Sequence, residues 1–244
     1  MPPDPFDIVI SGDVVLANSV LTGGYVAISG DRIAAVGQGP APNAAHVKHY
    51  ENSLIFPGIV DGQIHAGSVE GVPGLRDATR AAAAGGVTTV VDMPFDDPVP
   101  VDTVPRLTAK IEALERIAVV DVALYATAPK GADKYGIADL AAAGAAAIKL
   151  STFEYHPVRF PRFSTAEMYE IFEEAAAVNL PVGFHNEDQE LVTHLVDRWV
   201  AKDDRAAAAH GATRPPIAEL VADAQILELA SHTDVQCHIV HSSL

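Results

Sequence analysis

From Ile59 onward the chain repeats one rhythm. A short apolar run is followed by a loop, then by a helical stretch rich in Ala or Leu. This rhythm is the strongest constraint on the fold. Repeated βα units bury both faces of a sheet when the strands run parallel and the helices lie outside. The predicted strands are 59–65, 87–91, 119–125, 146–150, 181–185 and 235–241. Helix 76–84 is stopped by Gly85-Gly86, and helix 137–143 by Gly144. Asp102 or Thr103 caps a helix with Leu107, Ile111 and Leu114 on one face. Ser164-Thr165-Ala166-Glu167 reads as a capping box ahead of Met168, Ile171, Phe172 and Ala175. Further helices are expected over 191–200 and 218–230. The expected fold is α/β, a (β/α) TIM-type barrel. It is incomplete, because about 185 residues at ~30 per unit give about six of the eight βα units.

Before Ile59 the signals change to short strands and tight turns. Ser11-Gly12-Asp13 is expected to turn the chain between strands 6–10 and 14–16, and Ser29-Gly30-Asp31 to close a hairpin between 25–28 and 32–36. Residues 47–50 pair again. Asp13 and Asp31 are turn formers. The expected organisation is a β module over 1–56, part of a composite β-sandwich, and a barrel over 57–244.

Composition narrows the function classes. Hydrophobic residues at 49% against 20% charged indicate a packed core. The balance of 16 basic against 32 acidic residues, a net charge of −16, argues against nucleic acid or an anionic membrane as partner. Cys237 is the single cysteine, which suits a reducing cytosol. Met1-Pro2-Pro3-Asp4-Pro5 lacks the features of a signal peptide, and no apolar run reaches the ~18 residues of a membrane span. A soluble, cytoplasmic protein is expected.

Active sites of such barrels lie where the strands end. The polar residues there are Gln63 and His65, Asp92, Lys149, then His185 with Asn186 and Glu187, and His238 with His241. Gln63 and His65, two apart on a strand, project to the same side and can share a cation. Lys149 sits in an apolar strand. Facing inward it would be desolvated, with a lowered pKa and a nucleophilic amine able to add CO2. Facing outward it would be a snorkelling lysine.

The residues 61–65, 82–89 through Asp92-Met93-Pro94, Ile148-Lys149, His185-Asn186-Glu187, Arg214-Pro215-Pro216 with Glu219, and 238–243 together resemble the cyclic amidohydrolases of the amidohydrolase superfamily. That group contains allantoinases, dihydropyrimidinases (hydantoinases) and dihydroorotases. The resemblance implies that Lys149 is the carboxylated lysine and that His65, His185 and His241 are metal ligands. It also implies zinc or another divalent metal that activates water against the carbonyl of a small cyclic amide. His238 is not expected to be a ligand.

Two departures qualify what the resemblance implies. Gln63 stands where the family has the first histidine of its His-x-His pair, and a neutral amide oxygen is the poorer zinc ligand. One metal position is therefore expected to be weakened. The family's general base, an Asp on strand eight, would lie beyond Leu244, so the sequence is expected to be the front part of a longer enzyme that is homo-oligomeric in its full-length form. Gly67 departs from the arginine of dihydroorotases, and His238 from the aromatic residue of dihydropyrimidinases. The pattern His-x-x-His-x-Ser and the Arg-Pro-Pro segment favour an allantoinase-like enzyme. The alternatives are a dihydropyrimidinase or hydantoinase activity, or a non-catalytic scaffold.

Overall fold

The structure is a computed structural model describing residues 6–203 and 206–244. The stretch 1–5, read above for a leader, lies outside the described residues. The chain divides into two compact units, Met1–Gly58 and Ile59–Leu244.

In the first unit, β1 (Ile8–Val15), β2 (Val20–Ser29), β3 (Arg32–Gln38) and β4 (His46–Ile55) form one sheet in the order β3-β2-β1-β4. β1 is antiparallel to β2 and parallel to β4. The hairpin expected at Ser29-Gly30-Asp31 joins β2 to β3. The turn expected at Ser11-Gly12-Asp13 is instead a bulge within β1, because both flanking runs pair with the same neighbours on either side of it. Gly12 makes this possible: a Cβ there would stand 2.9 Å from the Tyr50 carbonyl oxygen. Asp13 therefore lies within β1 and not in a turn, and its Oδ1 accepts from the Gly23 amide of β2 at 2.9 Å.

The second unit alternates strand and helix. Its elements are β5 (Ile59–Ile64), α1 (Val72–Ala84), β6 (Val87–Asp92), α2 (Val104–Ile117), β7 (Asp121–Ala126) and α3 (Ile137–Ala142). They continue with β8 (Ala147–Ser151), α4 (Thr165–Ala177), β9 (Val182–His185), α5 (Gln189–Val200), α6 (Ala209–Ala212), α7 (Pro216–Thr233) and β10 (Cys237–Ile239). Six strands make one parallel sheet in chain order, β5 next to β6 and so on to β10. This is the partial-barrel arrangement expected from the βα rhythm.

Strand alternation splits β8 between two environments. Ile148 and Leu150 join the large core that includes Leu107, Met168, Ile171, Phe172 and Phe184. Ala147 belongs to a smaller cluster with Met93, Phe95 and Tyr125. Lys149 therefore shares the Ala147 face, opposite the large core. Across that core, Phe172 of α4 meets Phe184 of β9 edge-on, with ring centroids 5.4 Å apart.

The capping box forms. Ser164 Oγ accepts from the Glu167 amide at 3.3 Å, and Glu167 Oε2 accepts from the Ser164 amide at 2.7 Å. Lys130 pairs with the same Glu167 carboxylate. Replacing Ser164 by Ala should cost about 1 kcal/mol, read as a Tm lower by roughly 2–4 °C in a thermal melt. An unchanged melt would mean that Lys130 and Glu167 hold this helix end unaided. The cap of α2 is Thr103, without a side-chain bond, and the alternative Asp102 pairs instead with Arg106. No helix among the described residues is long and apolar enough to cross a membrane.

Candidate functional site

β8 is buried along its whole length, and Lys149 is 1% exposed. Its Nζ has no hydrogen-bond partner. Burial pushes this amine down to about 7, so a large fraction is neutral near physiological pH. Of the two orientations left open by the sequence, the structure takes the inward one.

β9 ends at His185, and Glu187 follows two residues later. His185 Nε2 lies 2.8 Å from Glu187 Oε2. Burial raises the Glu187 carboxyl, but hydrogen bonds from His185 and Tyr155 outweigh that and hold it below the usual carboxylate range. An ionised carboxylate only accepts, so His185 carries its proton on Nε2. The lone pair on Nδ1 then faces His241, whose Nε2 stands 3.1 Å away. Two nitrogens bound to one tetrahedral zinc at about 2.0–2.1 Å would stand roughly 3.3 Å apart. The imidazole pair thus has the spacing of two ligands on one cation.

His241 is not on a strand. The sequence placed it inside 235–241, but β10 stops at Ile239. His241 sits in the following segment, lowered in pKa by burial and then by the charges of His185 and Lys149. His65 follows β5 by one residue, with Nε2 3.5 Å from the Gln63 amide nitrogen and Nδ1 3.4 Å from Ser68 Oγ. Burial lowers its pKa, Asp92 raises it, and Lys149, Lys110 and His185 lower it further. His65 therefore lies in the same electrostatic neighbourhood as the others. Its direct contacts, however, are to its own loop and, at 6.3 Å between centroids, to the Phe95 ring. His238 is exposed. Among the described residues, no group of three or more His, Cys, Asp and Glu side chains could hold a metal ion.

The pocket beside the imidazole pair has a volume of about 430 Å³ and is bordered by Tyr155, His185, Glu187, Arg214 and His241. A second cavity of about 250 Å³ lies between His65, Phe95, Tyr155 and Phe160. Together they offer room for a small ring. Tyr155 borders both, and its hydroxyl donates to Glu187 Oε2 at 2.9 Å. Burial and then Glu187 raise the Tyr155 pKa, so it remains a phenol.

Two groups at these strand ends escaped the sequence reading. Arg159, in the loop after β8, donates to the carbonyls of Ser68, Phe95 and Asp96 and reaches the Asp97 carboxylate at 3.3 Å. It ties the loops after β5 and β6 to its own. The other is Lys110 of α2, 4% exposed, which pairs with Asp92 at 2.6 Å and Asp96 at 2.8 Å. Asp92 also accepts from the Ala66 amide at 2.8 Å, next to His65. Neither residue sits in a local motif. Lys110 carried one faint signal, a cation on a buried helix face.

Parallel βα units with chemistry-bearing side chains at the strand ends define a barrel-type α/β fold. An L-hydantoinase from Arthrobacter aurescens shares this fold at a TM-score of 0.89 and 24% identity, with 98% of this chain and 53% of that one superposed. An allantoinase from Solibacter usitatus is 33% identical over 240 residues, covering 97% of this chain and 51% of the relative. A dihydroorotase from Pediococcus pentosaceus is 28% identical over 228 residues, covering 89% and 50%. No family-wide sequence model matches the chain. Nearly the whole chain is thus similar to an allantoinase, a dihydroorotase and an L-hydantoinase, and it spans about half the length of the curated relatives it matches.

Proposed function

We propose that this chain holds the metal of a hydrolase that opens a small cyclic amide, with an allantoinase-like ureido ring as substrate. The observation that carries the reading is the orphaned amine of Lys149, buried in the same electrostatic neighbourhood as the His185–His241 pair. A buried amine with no partner is costly unless something completes it. Carbon dioxide would complete it: the neutral nitrogen bonds to carbon, a proton leaves to solvent, and an anionic oxygen donor results. His185 Nδ1, His241 Nε2 and carboxylated Lys149 would then hold one zinc or other divalent ion, and His65 belongs to a second metal position. Gln63 beside His65 weakens that second position. A bound metal of this kind polarises a carbonyl and acidifies water.

The chain's own residues do the rest. Glu187 holds His185 in the tautomer that frees Nδ1. The Tyr155 hydroxyl, at the edge of both cavities, gives its proton to Glu187 and turns its oxygen lone pairs to a substrate N–H. Phe95 and Phe160 provide apolar walls that keep a ring oriented. The general base is assigned to none of these residues. A cytoplasmic location and a homo-oligomeric full-length form belong to the same proposal.

The test is metal analysis of protein prepared with and without bicarbonate, followed by turnover of allantoin, hydantoin and dihydrouracil. We expect about one tightly held metal per chain, lower occupancy when CO2 is excluded, and the highest turnover with allantoin. Protein that takes up no metal with bicarbonate present would favour the non-catalytic scaffold. Best turnover with hydantoin or dihydrouracil would favour the hydantoinase-type alternative.

A further inference from the structure

We infer that residues 214–219, the Arg-Pro-Pro-x-x-Glu segment that opens α7, position both converging imidazoles, His185 through Arg214 and His241 through Glu219. The inference rests on the reading of these imidazoles as ligands. At one end, Arg214 Nε lies 2.8 Å from Glu187 Oε1. The other oxygen of that carboxylate holds His185 Nε2. Arg214 thereby sits as an ion-pair partner against one oxygen of Glu187 while the other faces His185 Nε2, and Glu187 selects the His185 tautomer. The same helix grips this loop twice more. The Asp188 amide donates to the Ala218 carbonyl at 2.9 Å, and Asn186 Nδ2 donates to Asp223 Oδ1 at 2.7 Å.

At the other end, Glu219 Oε2 accepts from the Ser243 amide at 2.9 Å and from Ser242 Oγ at 3.4 Å. These contacts lie directly after His241. The ladder to β9 has already ended with the Val240 amide on the Phe184 carbonyl. Among the described residues no strand hydrogen bond follows that one, and the Glu219 contacts restrain the backbone next to His241. Pro215 and Pro216 fix the backbone between the two anchors at the start of α7. Groups that orient ligand side chains in this way typically govern metal affinity by about 10–100-fold.

Two readouts on the full chain test this. The first is the ¹⁵N spectrum of the histidines in metal-free protein, which reports the tautomer without any metal. The second is cobalt affinity, followed by its visible absorption. The parent should show His185 protonated on Nε2. Glu187→Ala should mix the tautomers and weaken cobalt binding by about 10–100-fold. Glu187→Gln keeps an accepting oxygen and should restore both readouts in large part. Glu219→Ala should weaken cobalt binding by about 10-fold or more with the His185 tautomer unchanged. The inference is overturned if Glu187→Ala keeps a single Nε2–H tautomer, or if Glu219→Ala binds cobalt as the parent does. A parent that binds no cobalt overturns the ligand reading instead, and the tautomer shift on Glu187→Ala still decides the role of that carboxylate.

Discussion

Lys149→Met should leave the fold more stable and take away the metal binding proposed for it. The amine is 1% exposed and has no partner, so the metal-free fold bears its desolvation without a compensating bond. An unsatisfied buried polar group costs about 1–3 kcal/mol. Methionine fills a similar volume without that cost, so urea denaturation should show a gain of about that size. Metal retention and hydrolysis should fall by at least about 100-fold, since an anionic ligand can no longer form. Gain of stability with loss of function is the signature of a side chain kept for chemistry.

The pH dependence follows from the same residue. In the unfolded chain the amine keeps the ordinary lysine value of 10.5, while in the fold it titrates near 7. Between these values the unfolded state binds the extra proton, so stability rises with pH. The contribution is fully present above the unfolded value and lost as pH falls through the folded one. Metal-free parent protein, with CO2 excluded, should therefore gain stability from neutral pH towards pH 10, and Lys149→Met should lack that part of the slope. Equal slopes in both proteins would mean that the amine is solvated in the fold.

The second large effect is expected at Lys110. Lys110→Met removes the cation paired with both Asp92, which is 0% exposed, and Asp96. Burial already raises the Asp96 carboxyl against the opposing pull of Lys110. Breaking a buried pair by deleting one partner costs about 3–5 kcal/mol, because the other charge is left uncompensated. Urea denaturation should show a loss of that size, and the double variant with Asp92→Asn should recover part of it. Asp92 anchors the Ala66 amide beside His65, so the loop after β5 should also become easier to cleave by protease. A loss below about 1 kcal/mol would mean that the cluster is open to water.

Much of this architecture could be read locally. The β-branched runs, the glycine stops and the apolar face of α4 each follow from short-range periodicity, and all fell within a few residues of the observed elements. The capping box is encoded in four consecutive residues and forms as expected. The polar residues at the strand ends were legible because barrel topology sends every strand end to one side. The bulge in β1 was not, because a glycine between two apolar runs suits a turn and a bulge equally well. What separated them was the presence of neighbouring strands on both sides.

The linear order of residues thus set the alternation of elements and the chemical identity of the groups at the strand ends, since both depend on neighbours a few positions apart. It did not set that His185 and His241 converge, how His241 is held beyond its strand, or that Arg159 spans three loops. Those depend on contacts between residues 24 to 91 positions apart. Such contacts exist once the sheet has formed and the loops have closed over its end, so no window of the chain contains them. Lys149 joins the two levels. Its strand was legible from the run around it, but its orphaned, desolvated amine came from the packing of the strands on either side.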